Sequence, residues 1–189
     1  MATQEERRTR TRRAILDAAQ ARFTRDGWEA TSIAEILDDA GVSRGALYHH
    51  FDSKEDVFAA VFSDVSADAV AHANAAARPG QTPLTSFLAG CRAWLSIVRR
   101  PDVAQVLLID GPTALGWERC RALEQATSLH VTEAGIRAAT RAGEISPPST
   151  RAAALLVNAL LAEAALASLA TAADDRDLTA TIESMITAL

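Results

Sequence analysis

Apolar residues recur at three- and four-residue intervals through one segment after another of this 189-residue chain. That period belongs to the α-helix, whereas a half-buried strand alternates every second residue. Nine glycines and six prolines are few for this length, and most punctuate the gaps between periodic runs. The apolar share is mostly alanine and leucine, both strong helix formers. The pattern predicts an all-α protein, with a chain long enough to bury a substantial core.

The first helix is expected from about Glu5 to Arg25, with Ile15, Leu16, Ala19 and Phe23 inward and Gly27 at its C-terminal cap. Thr31 or Ser32 then caps a short second helix with Ile33, Ile36, Leu37 and Ala40 on its apolar side. Gly41 stops it, Ser43 caps a third helix from Arg44 to His50, and Phe51 closes that one. Ser53 opens a fourth, from about 53 to 77, with Glu55 and Asp56 in its first turn, where acids suit the helix dipole. The break ARPGQTP, Ala77 to Pro83, sets the later helices apart. Their stripes place a helix on Leu84–Val98, a short one from Asp102 to Asp110, a longer stretch to Gly143, and one from Thr150 to Ala172. A last one opens at the DDRD run and carries Leu178, Ile182, Met185, Ile186 and Leu189. The total is about nine helices in two domains: a helix-turn-helix domain, 1–52, and a larger helical domain, 53–189, joined by the fourth helix.

The stretch GVSRGALYHHF, Gly41 to Phe51, carries the strongest functional signal. Two short helices joined at Ala40-Gly41-Val42 make a helix-turn-helix, whose second helix enters the DNA major groove. Val42 and Leu47 are spaced to pack back on Ile33, Ile36 and Phe51, which leaves Arg44, Gly45, Tyr48 and His49 outward. Arg44 can give two hydrogen bonds to a guanine edge. Gly45 lets the backbone approach the groove. Ser43, Tyr48, His49, Lys54 and the hydroxyl of Thr31 are candidate phosphate contacts. Five arginines between Arg7 and Arg13, Arg12 among them, form a basic arm that attracts DNA regardless of sequence. Residues 1–54 hold nine basic and nine acidic side chains, so the whole net charge of −5 lies beyond them. His49 and His50 are adjacent, point to different helix faces and lack a third ligand, so no metal is expected.

From about Arg13 to Val61 the sequence resembles the TetR family of transcriptional regulators. The resemblance rests on the glycine after helix one, T-S-I, the A-G-V-S turn, G-x-L-Y-x-H-F and the S-K-E that opens helix four. Leu37 departs from it, since many relatives carry alanine there. The resemblance implies an all-helical homodimer with a small N-terminal DNA-binding domain and a variable C-terminal domain for ligand binding and dimerisation.

The alanine-rich helix from Thr150 and the final helix are the expected dimer contacts, because small residues let helices approach closely. A dimer would read a palindromic operator in double-stranded DNA as two half-sites. Phe87, Cys91, Trp94, Leu107, Leu108, Trp117 and His130 are the expected lining of a pocket for an unknown lipophilic or aromatic effector. LLIDGPTALGW, Leu107 to Trp117, has two glycines but no Gly-Lys-Ser/Thr, which excludes a phosphate loop. Neither a nucleophile elbow, a H-E-x-x-H run nor a dinucleotide fingerprint occurs, so no enzyme and no cofactor are expected. Cys91 and Cys120 read as reduced, buried small hydrophobes. Asn158, Glu163 and Ser168 interrupt the most apolar helix, so no membrane partner is expected, and without a leader-like N-terminus the cytoplasm is the expected compartment. The leading reading is a repressor released from its operator by a small ligand. A dimeric DNA-binding protein without effector, or an activator, is the alternative.

Overall fold

A computed structural model describes residues 3–170 and 175–189. Among them every regular element is a helix. Two compact units emerge from the contacts: unit 1 holds Met1–Val65 and Pro101–Cys120, and unit 2 holds Ser66–Arg100 and Arg121–Leu189. Unit 1 therefore extends beyond residues 1–52 to take in the start of the fourth helix and a segment from mid-chain.

In unit 1, α1 (Gln4–Ala30) buries Ile15, Leu16, Ala19 and Phe23, the expected stripe. It starts at a capping box in which Thr3 and Glu6 satisfy each other's backbone N–H groups, so the arginines from Arg7 to Arg13 belong to its first turns. The expected arm is helix. Gly27, at φ 80° and ψ 170°, breaks the helical path near its end. Next come α2 (Ile33–Ala40), α3 (Arg44–Tyr48) and the first half of α4 (Lys54–Asn74). Phe58 packs edge-on against both Phe23 and Trp28, with ring centroids 5.0 and 5.2 Å apart. Such pairs add roughly 0.5–1.5 kcal/mol beyond the area they bury. The mid-chain segment is a short α6 (Pro101–Ala104), a π-helical stretch (Gln105–Asp110) and most of α7 (Gly111–Glu124), whose helical path breaks at Gly116 (φ 72°, ψ 163°). The carboxylate of buried Asp110 accepts the Trp28 N–H at 2.8 Å, beside Gly27, and Arg119 pairs with Asp56 at 2.6 Å. These two contacts tie the segment to the ends of α1 and α4.

Unit 2 packs α5 (Pro83–Val98) and α8 (His130–Arg141) together and lays α9 (Thr150–Ala170) against both, with α10 (Asp175–Thr187) on α9 and α5. A second π-helical turn, Gln125–Leu129, leads into α8. Unit 2 buries aliphatic side chains such as Leu95, Val98, Ile136 and Ile186, and α9 contributes mainly alanines: Ala153, Ala154, Ala164 and Ala165, with Val157 and Leu161. The expected last turn of α9, Thr171 to Ala172, and the first Asp of DDRD lie outside the described residues. By length and composition α9 is apolar enough to cross a membrane, contrary to the expectation from its alanines and Asn158, Glu163 and Ser168. The core helix of a soluble protein passes the same test. On α9 one face is buried, while Leu155, Leu156, Leu166 and Leu169 stay exposed.

Candidate nucleic-acid interface and internal cavity

The second helix of unit 1 is capped by Ser32, which accepts the Glu35 N–H while the Glu35 carboxylate accepts the Ser32 N–H at 2.8 Å. These bonds hold the Glu35 carboxyl below its ordinary pKa. Thr31 is the other residue that could have capped, and it does not. It is buried, and its hydroxyl donates to the Gly27 carbonyl at 2.8 Å. The hydroxyl expected on a phosphate is therefore buried and already donating within the protein. On the far side of α2, Asp39 takes two hydrogen bonds from Arg22 of α1, which fixes the angle between the two helices.

Gly41 ends α2 in the left-handed conformation, φ 63° and ψ 35°, which a side chain would resist. Its N–H reaches the Asp38 carbonyl, and the Val42 N–H donates to the Leu37 carbonyl at 3.2 Å. Two residues on, Ser43 caps α3 by accepting the Ala46 N–H at 3.2 Å. Leu47 is fully buried and Phe51 nearly so, anchoring α3 from below. Ser43, Arg44, Gly45, Tyr48 and His49 are all exposed. The Arg44 guanidinium lies 5.7 Å from the Tyr48 ring, so both sit on one open face. Arg12 stacks over the Phe51 ring at 5.3 Å and is exposed as well. His50 is half-buried, and burial, His49, Arg8 and Arg12 push its imidazole toward the neutral form.

Lys54 is committed elsewhere. Its ammonium donates to the Trp28 carbonyl at 2.6 Å and lies 4.0 Å from the Trp28 ring. The charge expected on a phosphate is instead a clasp between the start of α4 and the end of α1.

Within unit 2 a cavity of about 480 Å³ lies among α4, α5, α8 and α9. Of the seven residues expected in a pocket, Phe87, Cys91 and Trp94 line it. Leu107, Leu108 and Trp117 fall in unit 1, where Leu107 is buried and Trp117 is 70% exposed. His130 is exposed at the start of α8 and is not on the cavity wall. The wall also carries polar residues that the apolar stripes did not reveal, Ser128, Thr132 and Asn158 among them. The Thr132 hydroxyl lies 2.9 Å from Asn158 Oδ1, and Asn158 Nδ2 donates to Ser128 Oγ at 3.1 Å. Burial pushes the Cys91 thiol up to about 12, so it stays protonated. Among the described residues no cluster of His, Cys, Asp or Glu could hold a metal ion.

A capped, outward-facing short helix after a glycine turn in one unit, and an internal cavity in the other, are features of helical DNA-binding regulators. Residues 15–61 match the family described as "Bacterial regulatory proteins, tetR family", and residues 84–189 match "Tetracyclin repressor-like, C-terminal domain". This chain belongs to the TetR family. Over 52 residues it is 46% identical to the HTH-type transcriptional regulator AcrR of Shigella flexneri, covering 28% of this chain and 24% of AcrR. The chain spans 21–24% of the length of AcrR and comparable curated relatives. A TetR-family transcriptional regulator from Pectobacterium atrosepticum superposes with a TM-score of 0.77 at 26% identity, covering 98% of this chain and 94% of that one. The fold is also that of RolR in complex with resorcinol, with a TM-score of 0.78, 16% identity and coverage of 98% and 91%.

Proposed function

We propose that this protein is a sequence-specific DNA-binding transcriptional regulator, a repressor released from its operator when a small ligand binds in unit 2. The observation that carries the reading is the exposed Arg44–Tyr48 face on a helix anchored by Leu47 and capped by Ser43. Arg44 reads a base edge in the major groove, Gly45 lets the helix backbone close in, and Ser43, Tyr48 and His49 hold phosphates. Arg12 and its neighbours on α1 supply salt-dependent attraction.

Two copies act together. Leu155, Ala159, Ala162, Leu166 and Leu169 follow a four-three spacing along α9, and the leucines stay exposed, as does Met185 on α10. An apolar seam of that spacing suits a second copy of the same helix pair, and a two-fold dimer suits a palindromic operator. The cavity supports the sensor reading over a regulator without effector. Val70 and Ala73 on its wall belong to α4, whose first half lies in unit 1. Ligand there shifts α4 and with it the spacing of the two reading helices. The bacterial cytoplasm, where such operators lie, is the proposed compartment.

Fluorescence anisotropy with DNA from upstream of the protein's own gene tests this reading. Binding that depends on sequence and weakens steeply with salt is expected, from a dimer seen in sedimentation. Binding indifferent to sequence, or a monomer on DNA, refutes it.

A further inference from the structure

The cavity in unit 2 carries chemistry of its own. None of its lining side chains is Asp, Glu, Lys, Arg or His. A buried ion with no counter-charge and no water is strongly disfavoured. The wall is apolar over most of its extent, with Phe87 and Trp94 from α5 and Leu161 from α9. Cys91 adds a thiol that stays protonated. Asn74 is exposed and Gln81 half-exposed, which marks the outer end.

Asn158 stands out on this wall. Its Oδ1 receives the Thr132 hydroxyl and one Nδ2 hydrogen goes to Ser128 Oγ. Ser128 in turn points its hydroxyl at the Glu124 carbonyl, and Thr132 lies 3.0 Å from the Ser128 carbonyl. The second Nδ2 hydrogen of Asn158 has no acceptor among the described residues. The trio thus presents a fixed donor, held by its neighbours, on a wall whose other polar side chains are Ser86 of α5 and, at the outer end, Asn74 and Gln81.

Size is set from another direction. Phe87 lies so close to Gly135 of α8 that a Cβ there would stand 2.4 Å from the ring. Gly135 is a seat for that ring, and an alanine would push the ring away, at the expense of cavity space. At the roughly 30 Å³ share of a water molecule per heavy atom, the cavity holds about fifteen non-hydrogen atoms.

We propose that the cavity selects an uncharged, largely apolar molecule bearing one oxygen acceptor, and that Asn158 is the residue that recognises the oxygen. This inference rests on the sensor reading above and adds the effector's chemical class.

Three near-isosteric probes test it by equilibrium dialysis against the full-length protein: 1-acetonaphthone, 1-naphthoate and 1-ethylnaphthalene. At pH 7 the ketone is expected to bind at least ~10-fold tighter than the carboxylate, because the carboxylate enters without a partner. It is expected to bind about 5-fold tighter than the hydrocarbon, the worth of one hydrogen bond to the half-buried Asn158 amide. Asn158→Leu abolishes the preference for ketone over hydrocarbon and keeps that for ketone over carboxylate. Gly135→Ala weakens all three probes, whereas Trp117→Ala, remote from the cavity in sequence and exposed, leaves them unchanged. Naphthoate binding as tightly as the ketone overturns the proposal while the sensor reading stands. A wild-type protein that does not distinguish ketone from hydrocarbon removes Asn158 from its role without need of any variant. If none of the probes binds, the cavity is no effector site, and both this proposal and the sensor reading fall, with operator binding left intact.

Discussion

Unit 1 and unit 2 solve the packing problem in opposite ways. In unit 1 the core is filled by large rings, Phe23, Phe58 and Phe62, with Trp28 against the first two, and its elements are latched by polar contacts: Arg22 to Asp39, Asp110 to the Trp28 backbone N–H, Arg119 to Asp56. In unit 2 the long α9 buries mainly alanines, and the helices around it leave an unfilled space of about 480 Å³. Ion pairs bridge helices in unit 2 as well, Arg92–Glu183 and Arg151–Glu133, so the difference lies in the core. A filled unit holds one geometry, as a reading helix must. A hollow unit gives up dispersion contacts and retains room for a guest. The contrast assigns positional accuracy to one half and adaptability to the other.

The sharpest way to break this contrast is to hollow out the filled half. Phe58→Ala is expected to cost about 3–5 kcal/mol of unfolding free energy, measured by urea denaturation. Leu161→Ala, which enlarges a space that already exists, should cost nearer ~2 kcal/mol, the low end for such truncations. Equal losses would show that the two cores are packed alike.

Next in size is an effect on DNA alone. Arg44→Ala should weaken operator binding by ~1–3 kcal/mol and relax preference at one base position, while the unfolding midpoint stays within experimental error. Lys54→Ala sharpens the same point from the other side. Because its ammonium is spent on Trp28, the variant should lower stability by about 1 kcal/mol while the salt dependence of DNA binding hardly changes. A salt slope reduced by one would return Lys54 to the phosphates.

The smallest effect concerns the latches. Arg119 first, then Ser53, holds the Asp56 carboxyl below its ordinary pKa of 3.8. A carboxyl depressed on folding contributes stability above its unfolded pKa and loses it as pH falls through the lower folded value. Asp56→Asn should therefore cost less than about 1 kcal/mol at pH 7, given the partial exposure of the pair, and nothing once pH falls well below ~4. Urea midpoints at pH 7, 4 and 3 measure it. A difference as large at pH 3 as at pH 7 would place the effect in helix capping rather than in the ion pair.

Much of unit 1 is legible in the amino-acid order, because its determinants are local. The stripe of α1, the glycine turn at Gly41 and the Ser43 cap depend on residues within four positions of one another. The choice between Thr31 and Ser32 was legible too, since Glu35 stands three residues after Ser32 and completes a capping box. What a local pattern cannot convey is which distant partner a side chain meets. Lys54 looks like a phosphate contact until Trp28 is found beneath it. Leu107, Leu108 and Trp117 look like pocket lining until their segment is seen to join unit 1. Phe87, Cys91 and Trp94 were legible because they lie on one stripe of one helix. Ser128, Thr132 and Asn158 come from three elements, and only the fold brings them together.

The three tryptophans occupy three unlike surroundings: Trp28 among rings and an ammonium in unit 1, Trp94 on the cavity wall, and Trp117 largely in solvent. Indole emission shifts to the blue as water withdraws and is quenched by neighbouring groups. The protein thus carries three built-in lamps of different colour. Replacing two of them by phenylalanine at a time would let the arrival of a guest and the engagement of an operator be watched separately, in one molecule and without a label.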